Sequence, residues 1–186
     1  QEVIRINSQS GKGGVAWVLE QEHQIKMPRW MQIDFSPIVQ KMAEEQGGEI
    51  SPECIYQCFT QHYMQHTHPV EVVSYTLTRD THDEIQAKIV LDGKELTIQG
   101  SGQGALAAFS QAMSTHFAYQ MEIHDYSEHA LDTGSDSKAM AYIHVVIDGQ
   151  TFMASAEHED ILSASLDALV KAGNQFLNIK QSTAAA

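Results

Sequence analysis

Basic residues are scarce in this sequence: 11 Lys and Arg stand against 24 Asp and Glu among 186 residues, and the formal net charge is −13. A nucleic-acid backbone binds to a basic surface, so this composition argues against a nucleic-acid partner. No uncharged apolar run approaches the roughly 20 residues of a membrane span. The N-terminal QEVIRINSQS also lacks the charged, apolar and small-residue order of a signal peptide. We therefore expect no nucleic acid and no membrane among the partners, and instead small molecules or other protein chains.

Cysteine is rarer still. The two cysteines, Cys54 and Cys58, lie on one predicted helix, which makes a cytoplasmic protein the default expectation. The share of apolar residues, 42%, is enough to build a buried core in one large domain or two small ones. Because the sequence begins without Met, in a strand-like segment, we expect it to be a piece of a longer protein.

Residues 1–68 are predicted to form a small helical subdomain. A first helix starts with the segment Gly11-Lys12-Gly13-Gly14, and a second begins near Pro28. A third opens at Ser51-Pro52, where a serine N-cap precedes a proline at the first helical position. Pro37 lies inside the second helix and should kink it or start a new helix after Ser36.

Residues 69–186 change to a period of two, which predicts strands, and they contain a duplication. Asp92-Gly93 aligns with Asp148-Gly149, 56 residues later, and both pairs are typical hairpin turns. We predict two βββα units, about 70–117 and 118–178. The predicted fold class is α+β, a small helical subdomain followed by a duplicated βββα domain. The predicted strands cover 70–78, 84–91, 95–99, 119–125, 139–147 and 151–156, and the helices cover 105–116 and 160–177. One helix covers only one face of a three-stranded sheet, so each unit needs a partner copy.

Three glycines at alternate positions, Gly100, Gly102 and Gly104, join a predicted strand to an alanine-rich helix in the segment IQGSGQGALAAF. Glycines let backbone amides approach a ligand closely, and a helix start presents N–H groups and partial positive charge to an anion. The segment lacks the full GxGxxG spacing and a lysine followed by Ser or Thr, which disfavours a nucleotide. The second unit carries no glycine at the aligned positions, so this asymmetry favours a ligand role. A tight turn without a ligand is the alternative.

The segment DYSEHA concentrates acidic, phenolic and imidazole side chains at the end of a predicted strand. Asp125, Glu128 and His129 are residue types suited to general acid-base catalysis. The segment shows no pairing with a nucleophile and no metal-ligand spacing, and the same residues can bind an ammonium group or stabilise a turn. We therefore expect no catalytic residue here.

A stripe of possible soft-metal ligands follows the third predicted helix at every fourth residue: Cys54, Cys58, His62 and His66. Each step of four residues overshoots a helical turn by about 40°, so the four side chains do not readily converge. A buried cysteine face that continues into solvated histidines is the simpler interpretation, and we expect no metal site.

Three motifs, SQSGKGGVA, GSGQGALAAF and YSEHA, together resemble the 2-isopropylmalate synthase family over residues 6–176. The resemblance is to the part that follows the catalytic barrel in the longer form of that enzyme. It implies a helical linker subdomain and a regulatory domain that forms a homodimer and binds L-leucine for feedback inhibition. It also implies that condensation of acetyl-CoA with 3-methyl-2-oxobutanoate occurs on a separate (β/α)8 barrel of the same polypeptide. That barrel would hold a divalent metal, whereas this part would be inactive alone and carry no cofactor.

The resemblance also implies a leucine-binding site. Small residues would leave room for the ligand, Leu106 and Ile123 would present an apolar wall to the isobutyl group, and polar backbone groups would contact the zwitterion. The residues that match the family's site are Gln103, Gly104, Leu106, Ala107, Ile123, Tyr126, Ala130, Ser137 and Ala139.

Three alternatives remain open at this point. The domain could belong to a citramalate synthase, whose similar regulatory domain responds to isoleucine. It could be an oligomerisation and interaction module with a degenerate pocket. It could also be a free-standing enzyme that uses Asp125, Glu128 and His129.

Overall fold

The computed structural model describes residues 4–5, 11–132 and 138–185. Within them the fold class is α+β, as predicted, with five helices and eight strands. The chain divides into two compact units, Gln1–His62 and Tyr63–Ala186. The elements of the first part are β1 (Ile4–Arg5), α1 (Gly11–His23), α2 (Arg29–Glu45), β2 (Glu49–Ile50) and α3 (Pro52–Tyr63). Those of the second part are β3 (Val70–Arg79), β4 (Asp83–Leu91), β5 (Lys94–Gly102), α4 (Ala105–Phe117), β6 (Met121–Leu131), β7 (Lys138–Ile147), β8 (Gln150–His158) and α5 (Ile161–Ala185).

The first unit is helical, with β1 and β2 forming a short antiparallel pair. Helix α2 continues through Pro37 without restarting, and it buries one face, made of Met31, Phe35, Val39 and Ala43. Helix α3 begins as predicted, because the Ser51 hydroxyl accepts a hydrogen bond from the backbone N–H of Cys54 at 3.2 Å. No helix in the described ranges has both the length and the apolar character that crossing a membrane would require.

The second unit consists of two antiparallel sheets, in the strand orders β3-β4-β5 and β6-β7-β8, and a helix follows each of them. Helix α4 packs on β5 and β4, whereas α5 packs on β8 and β7. Each helix also contacts the first strand of the other sheet, α4 with β6 and α5 with β3. The apolar side chains of the two βββα repeats therefore share one core within the second unit, in which Ile89, Phe109, Val145 and Leu169 are fully buried.

The 56-residue duplication persists in the strand pairing. Tyr75 pairs with Ala87, and Tyr126 pairs with Ile143, 56 residues after Ala87. Both hairpin turns have an aspartate and a glycine at positive φ, 49° and 81° in the first and 48° and 81° in the second. The two tyrosines are therefore equivalent positions of the two repeats.

The first strand of each repeat contains a β-bulge. The register shifts between Val72 and Ser74 in β3, and between Ile123 and Asp125 in β6. One extra residue reverses the alternation of side chains along the rest of the strand. As a result, the side of β3 that faces the helices carries Val70, Val72, Tyr75, Leu77 and Arg79. The side of β6 that faces the helices carries Met121, Ile123, Tyr126, Glu128 and Ala130.

The predicted strand over residues 95–99 is longer in the structure, because β5 continues through Gly100 and Gly102. A Cβ added at Gly100 would lie 2.3 Å from the carbonyl oxygen of Ala108, and one at Gly102 would lie 2.9 Å from the backbone nitrogen of Ala108. These two glycines therefore permit a close approach of α4 to β5, so a folding role explains them. Gly104 differs from both, because a Cβ added there would meet no atom within 4 Å.

Tyr119 carries a buried hydroxyl that has no hydrogen-bond partner in the described part of the chain. Its side chain is 4% exposed, and burial raises the pKa of the phenol well above its ordinary value. Because an unpaired buried hydroxyl costs free energy, Tyr119→Phe should raise the free energy of unfolding by about 1 kcal/mol. Thermal denaturation should show an increase in Tm of about 2 to 4 °C.

The matched control for this prediction is Tyr142→Phe. The Tyr142 hydroxyl oxygen lies 2.8 Å from Nε2 of His129, so its removal should lower the Tm. A lower Tm for Tyr119→Phe than for the unmodified chain would contradict the prediction.

Candidate functional site

The candidate site is a pocket of about 530 Å³ in the second unit, where the first turns of α4 and α5 meet the strands β3 and β6. Both repeats therefore contribute to one pocket. Its described lining residues are Arg79, Gln103, Gly104, Ala105, Leu106, Ala107, Tyr126, Glu128, Ile161, Leu162 and Ser165.

The first turn of α4 lacks a capping side chain. Its N-cap is Gly104, at φ 99° and ψ 158°, and the first helical hydrogen bond runs from the N–H of Ala108 to the Gly104 carbonyl at 3.0 Å. The N–H groups of Ala105, Leu106 and Ala107 therefore have no acceptor within the helix. Together with the helix dipole they make the pocket favourable for a carboxylate at this point.

The first turn of α5 is capped instead. Asp160 aligns with Gly104 at the repeat offset, and its carboxylate accepts hydrogen bonds from Ser163, from the backbone N–H at 2.7 Å and from the hydroxyl at 2.9 Å. The backbone hydrogen bond from Ser163 is the main cause that lowers the pKa of Asp160. Of the two helix starts in the pocket, only that of α4 is open to an anionic ligand.

Tyr126 and Glu128 form the polar wall on β6. The Tyr126 hydroxyl is within hydrogen-bond range of the Glu128 carboxylate and of the Ser165 hydroxyl on α5. Burial, followed by the nearby Glu128, raises the pKa of Tyr126 above its ordinary value. The equivalent Tyr75 binds the Ser163 hydroxyl at 2.9 Å. The two tyrosines thus connect the first turn of α5 to the first strand of each sheet.

The remaining lining is aliphatic apart from Gln103 and one cation. Leu106 and Leu162 are half-buried, and Ile161 is 42% exposed. Arg79 is the one basic side chain among the described lining residues, and Glu128 is the one acidic side chain. The pocket therefore combines an open helix start, one charge of each sign and an apolar surface, which are the features that an apolar α-amino acid requires.

The structure brings together five of the residues predicted for leucine binding: Gln103, Gly104, Leu106, Ala107 and Tyr126 line the pocket. Ile123 lies elsewhere, in a neighbouring groove of about 690 Å³ between α4 and β6, and Ala107 lines both cavities. Ala130 and Ala139 face each other across the β6–β7 pair, on the same side as Tyr126, but they are not among the lining residues. Ser137 lies outside the described residues.

Sequence reasoning missed Arg79, Ala105, Ile161, Leu162 and Ser165. It considered Glu128 for catalysis, for binding an ammonium group or for a turn, but did not place it in the leucine site. Leu162 aligns with Leu106 at the repeat offset, so the duplication contained a signal for the α5 residues. No such signal existed for Arg79, because its direction depends on the bulge in β3.

The DYSEHA residues do not converge on one site. This segment is part of strand β6, where Glu128 pairs with Ala141 and faces the helices. Asp125 and His129 lie on the opposite face, and His129 bonds Tyr142 there. The hypothesis that Asp125, Glu128 and His129 form one catalytic group is therefore wrong, because their side chains lie on opposite faces of β6.

The cysteine and histidine stripe is also interrupted, because α3 ends at Tyr63 and His66 lies beyond it. Sγ of Cys58 lies 3.9 Å from Nδ1 of His62, and burial raises the pKa of this thiol to about 11. Within the described ranges, no group of three or more His, Cys, Asp or Glu side chains is arranged to hold a metal ion.

Residues 49–177 match the model of the LeuA allosteric (dimerisation) domain. Over most of its length the chain is similar to proteins named 2-isopropylmalate synthase. It is 38% identical to the Mycobacterium leprae protein, 39% to that of Mycobacterium ulcerans and 39% to that of Thermobifida fusca. These matches cover 95%, 94% and 94% of this chain, but only 30%, 32% and 31% of the relatives. The chain thus spans about a third of the length of its relatives, and it belongs to the LeuA allosteric (dimerisation) domain family.

Proposed function

We propose that the pocket between the starts of α4 and α5 binds L-leucine, and that the chain is the regulatory part of a 2-isopropylmalate synthase. The names of the relatives support the enzyme, and the composition of the pocket supports the ligand. Leucine would then act as a feedback inhibitor of the condensation of acetyl-CoA with 3-methyl-2-oxobutanoate.

The observation that carries the proposal is the open start of α4. Gly104 provides no capping side chain, so three N–H groups of the first turn have no acceptor within the helix, whereas the equivalent turn of α5 is closed by Asp160. A ligand carboxylate at α4 would satisfy these groups and interact favourably with the helix dipole. The Glu128 carboxylate would pair with the ligand ammonium, and Leu106 and Leu162 would contact the isobutyl group.

The remaining parts of the proposal concern the whole protein. Residues 1–68 would form the linker subdomain and residues 69–186 the regulatory domain, which would dimerise with a second copy. Catalysis and its divalent metal would belong to a barrel in the same polypeptide, outside this chain. Leucine would inhibit by binding more tightly to one of two states of the dimer, and the linker would pass that bias to the barrel.

Isothermal titration calorimetry of the 186-residue chain with leucine, isoleucine and valine tests the proposal. We expect leucine to bind most tightly. Valine should bind about 10-fold more weakly, since it lacks one methylene of the apolar contact. Absence of leucine binding by a folded dimer would overturn the proposal and favour an oligomerisation module. Tighter binding of isoleucine would favour the isoleucine-responsive citramalate synthase type.

A further inference from the structure

We propose that Arg79 binds the carboxylate of the effector and restricts this pocket to ligands that have a free carboxylate. This inference rests on the proposed function, because it concerns the same pocket. It adds a residue of the first repeat to a site whose polar wall otherwise comes from β6 of the second repeat.

The bulge in β3 determines the direction of Arg79. Simple alternation from Val70 and Val72 would turn residues 74, 76 and 78 towards the helices. The extra residue at Val73 reverses the alternation, so that Tyr75, Leu77 and Arg79 face them instead. Arg79 is the last residue of β3 and pairs with Asp83 across the hairpin, and its side chain lines the pocket.

Arg79 is available for a ligand. In the described part of the chain its guanidinium group takes part in no hydrogen bond and no ion pair. A guanidinium group presents a planar pair of N–H donors that matches a carboxylate. In a chain of net charge −13, this cation at the pocket offsets the repulsion that an incoming carboxylate would otherwise meet.

The two repeats contribute opposite charges to the pocket. Arg79 pairs with Asp83 in the first repeat. The residue 56 positions after Asp83 is Ala139, and it pairs with Ala130. Ala130 is therefore the residue of the second repeat that is equivalent to Arg79. In the same way Leu77 is equivalent to Glu128. The duplicated scaffold thus has a cation from one repeat and an anion from the other, an arrangement complementary to a zwitterion.

Calorimetry with leucine and leucinamide, which lacks the carboxylate charge, tests the role of Arg79. The 186-residue chain should bind leucine at least about 10-fold more tightly than leucinamide. Arg79→Gln should weaken leucine binding by about 10-fold or more and leave leucinamide binding nearly unchanged, so that the preference for leucine shrinks by the same factor. Any preference for leucine over leucinamide that remains in Arg79→Gln would come from the N–H groups in the first turn of α4.

The matched control is Lys88→Gln, which removes the same charge at an exposed residue outside the pocket lining. Nζ of Lys88 lies 3.4 Å from Oε1 of Glu95. This variant should bind leucine like the unmodified chain. If Arg79→Gln binds leucine within twofold of the unmodified chain, the role of Arg79 is wrong while leucine binding stands. If the unmodified chain binds no leucine, the proposed function and this inference both fail.

Discussion

Replacing Gly100 with alanine is expected to lower the free energy of unfolding by about 3 kcal/mol, the upper end of the usual range for overpacking. The added Cβ would lie 2.3 Å from the carbonyl oxygen of Ala108 and 2.5 Å from the backbone nitrogen of Ala112. Both atoms belong to the backbone of α4, so no side-chain rotation can relieve the contact. The helix would have to move away from β5 and lose packing against the core.

Thermal denaturation measures this effect, and a decrease in Tm of about 6 to 12 °C is expected. Gly93→Ala is the control, because a Cβ at Gly93 meets no atom within 4 Å but is placed at a φ of 81°. It should cost only the backbone strain of about 1 to 2 kcal/mol. If Gly100→Ala proves no more destabilising than Gly93→Ala, the close approach of α4 to β5 is not the reason for this glycine.

Replacing Gly104 with alanine is expected to weaken leucine binding by about 10-fold or more. At φ 99° and ψ 158° the backbone occupies a region that is essentially restricted to glycine, and a residue with a side chain pays about 1 to 3 kcal/mol there. The first turn of α4 would relax towards an allowed conformation and would move the N–H groups that we propose as ligands of the carboxylate. The fold should persist, since the added Cβ meets no atom within 4 Å.

Calorimetry with leucine measures the loss, and Gly93→Ala again serves as the control. That variant has a similar strain at a turn that does not line the pocket, so it should bind leucine normally. In a full-length protein that contains this domain, Gly104→Ala should also raise the leucine concentration needed for inhibition. Unchanged affinity and unchanged inhibition would show that the start of α4 is not the carboxylate site.

The repeat architecture was predictable because its signals are local. The Asp92-Gly93 and Asp148-Gly149 turns need a positive φ at both positions, which these residue pairs provide, and alternating apolar residues on either side predict the paired strands. The end of β6 was not predictable in the same way. The polar segment at Tyr126 to Ala130 was placed at a strand end, but pairing with β7 extends the strand to Leu131.

The three glycines of the segment IQGSGQGALAAF have two different structural roles. Gly100, Gly102 and Gly104 are spaced alike in the sequence, yet the first two permit helix-to-strand packing and only the third lines the pocket. The aligned Ala156 of the second repeat is fully buried, so α5 tolerates there the methyl group that α4 excludes at Gly100. The distance between a helix and a strand depends on the whole core, and a local pattern does not contain it.

The sequence by itself determined the α+β class, the duplication and the asymmetry between Gly104 and Asp160, because each is a property of neighbouring residues or of two segments compared directly. Only the tertiary structure decided which side chains meet in the pocket. The bulges at Val73 and His124 reverse the alternation of their strands and thereby direct Arg79 and Glu128 towards the helices. A bulge results from strand pairing and packing across the sheet, so its effect on side-chain direction becomes visible only when both repeats are folded together.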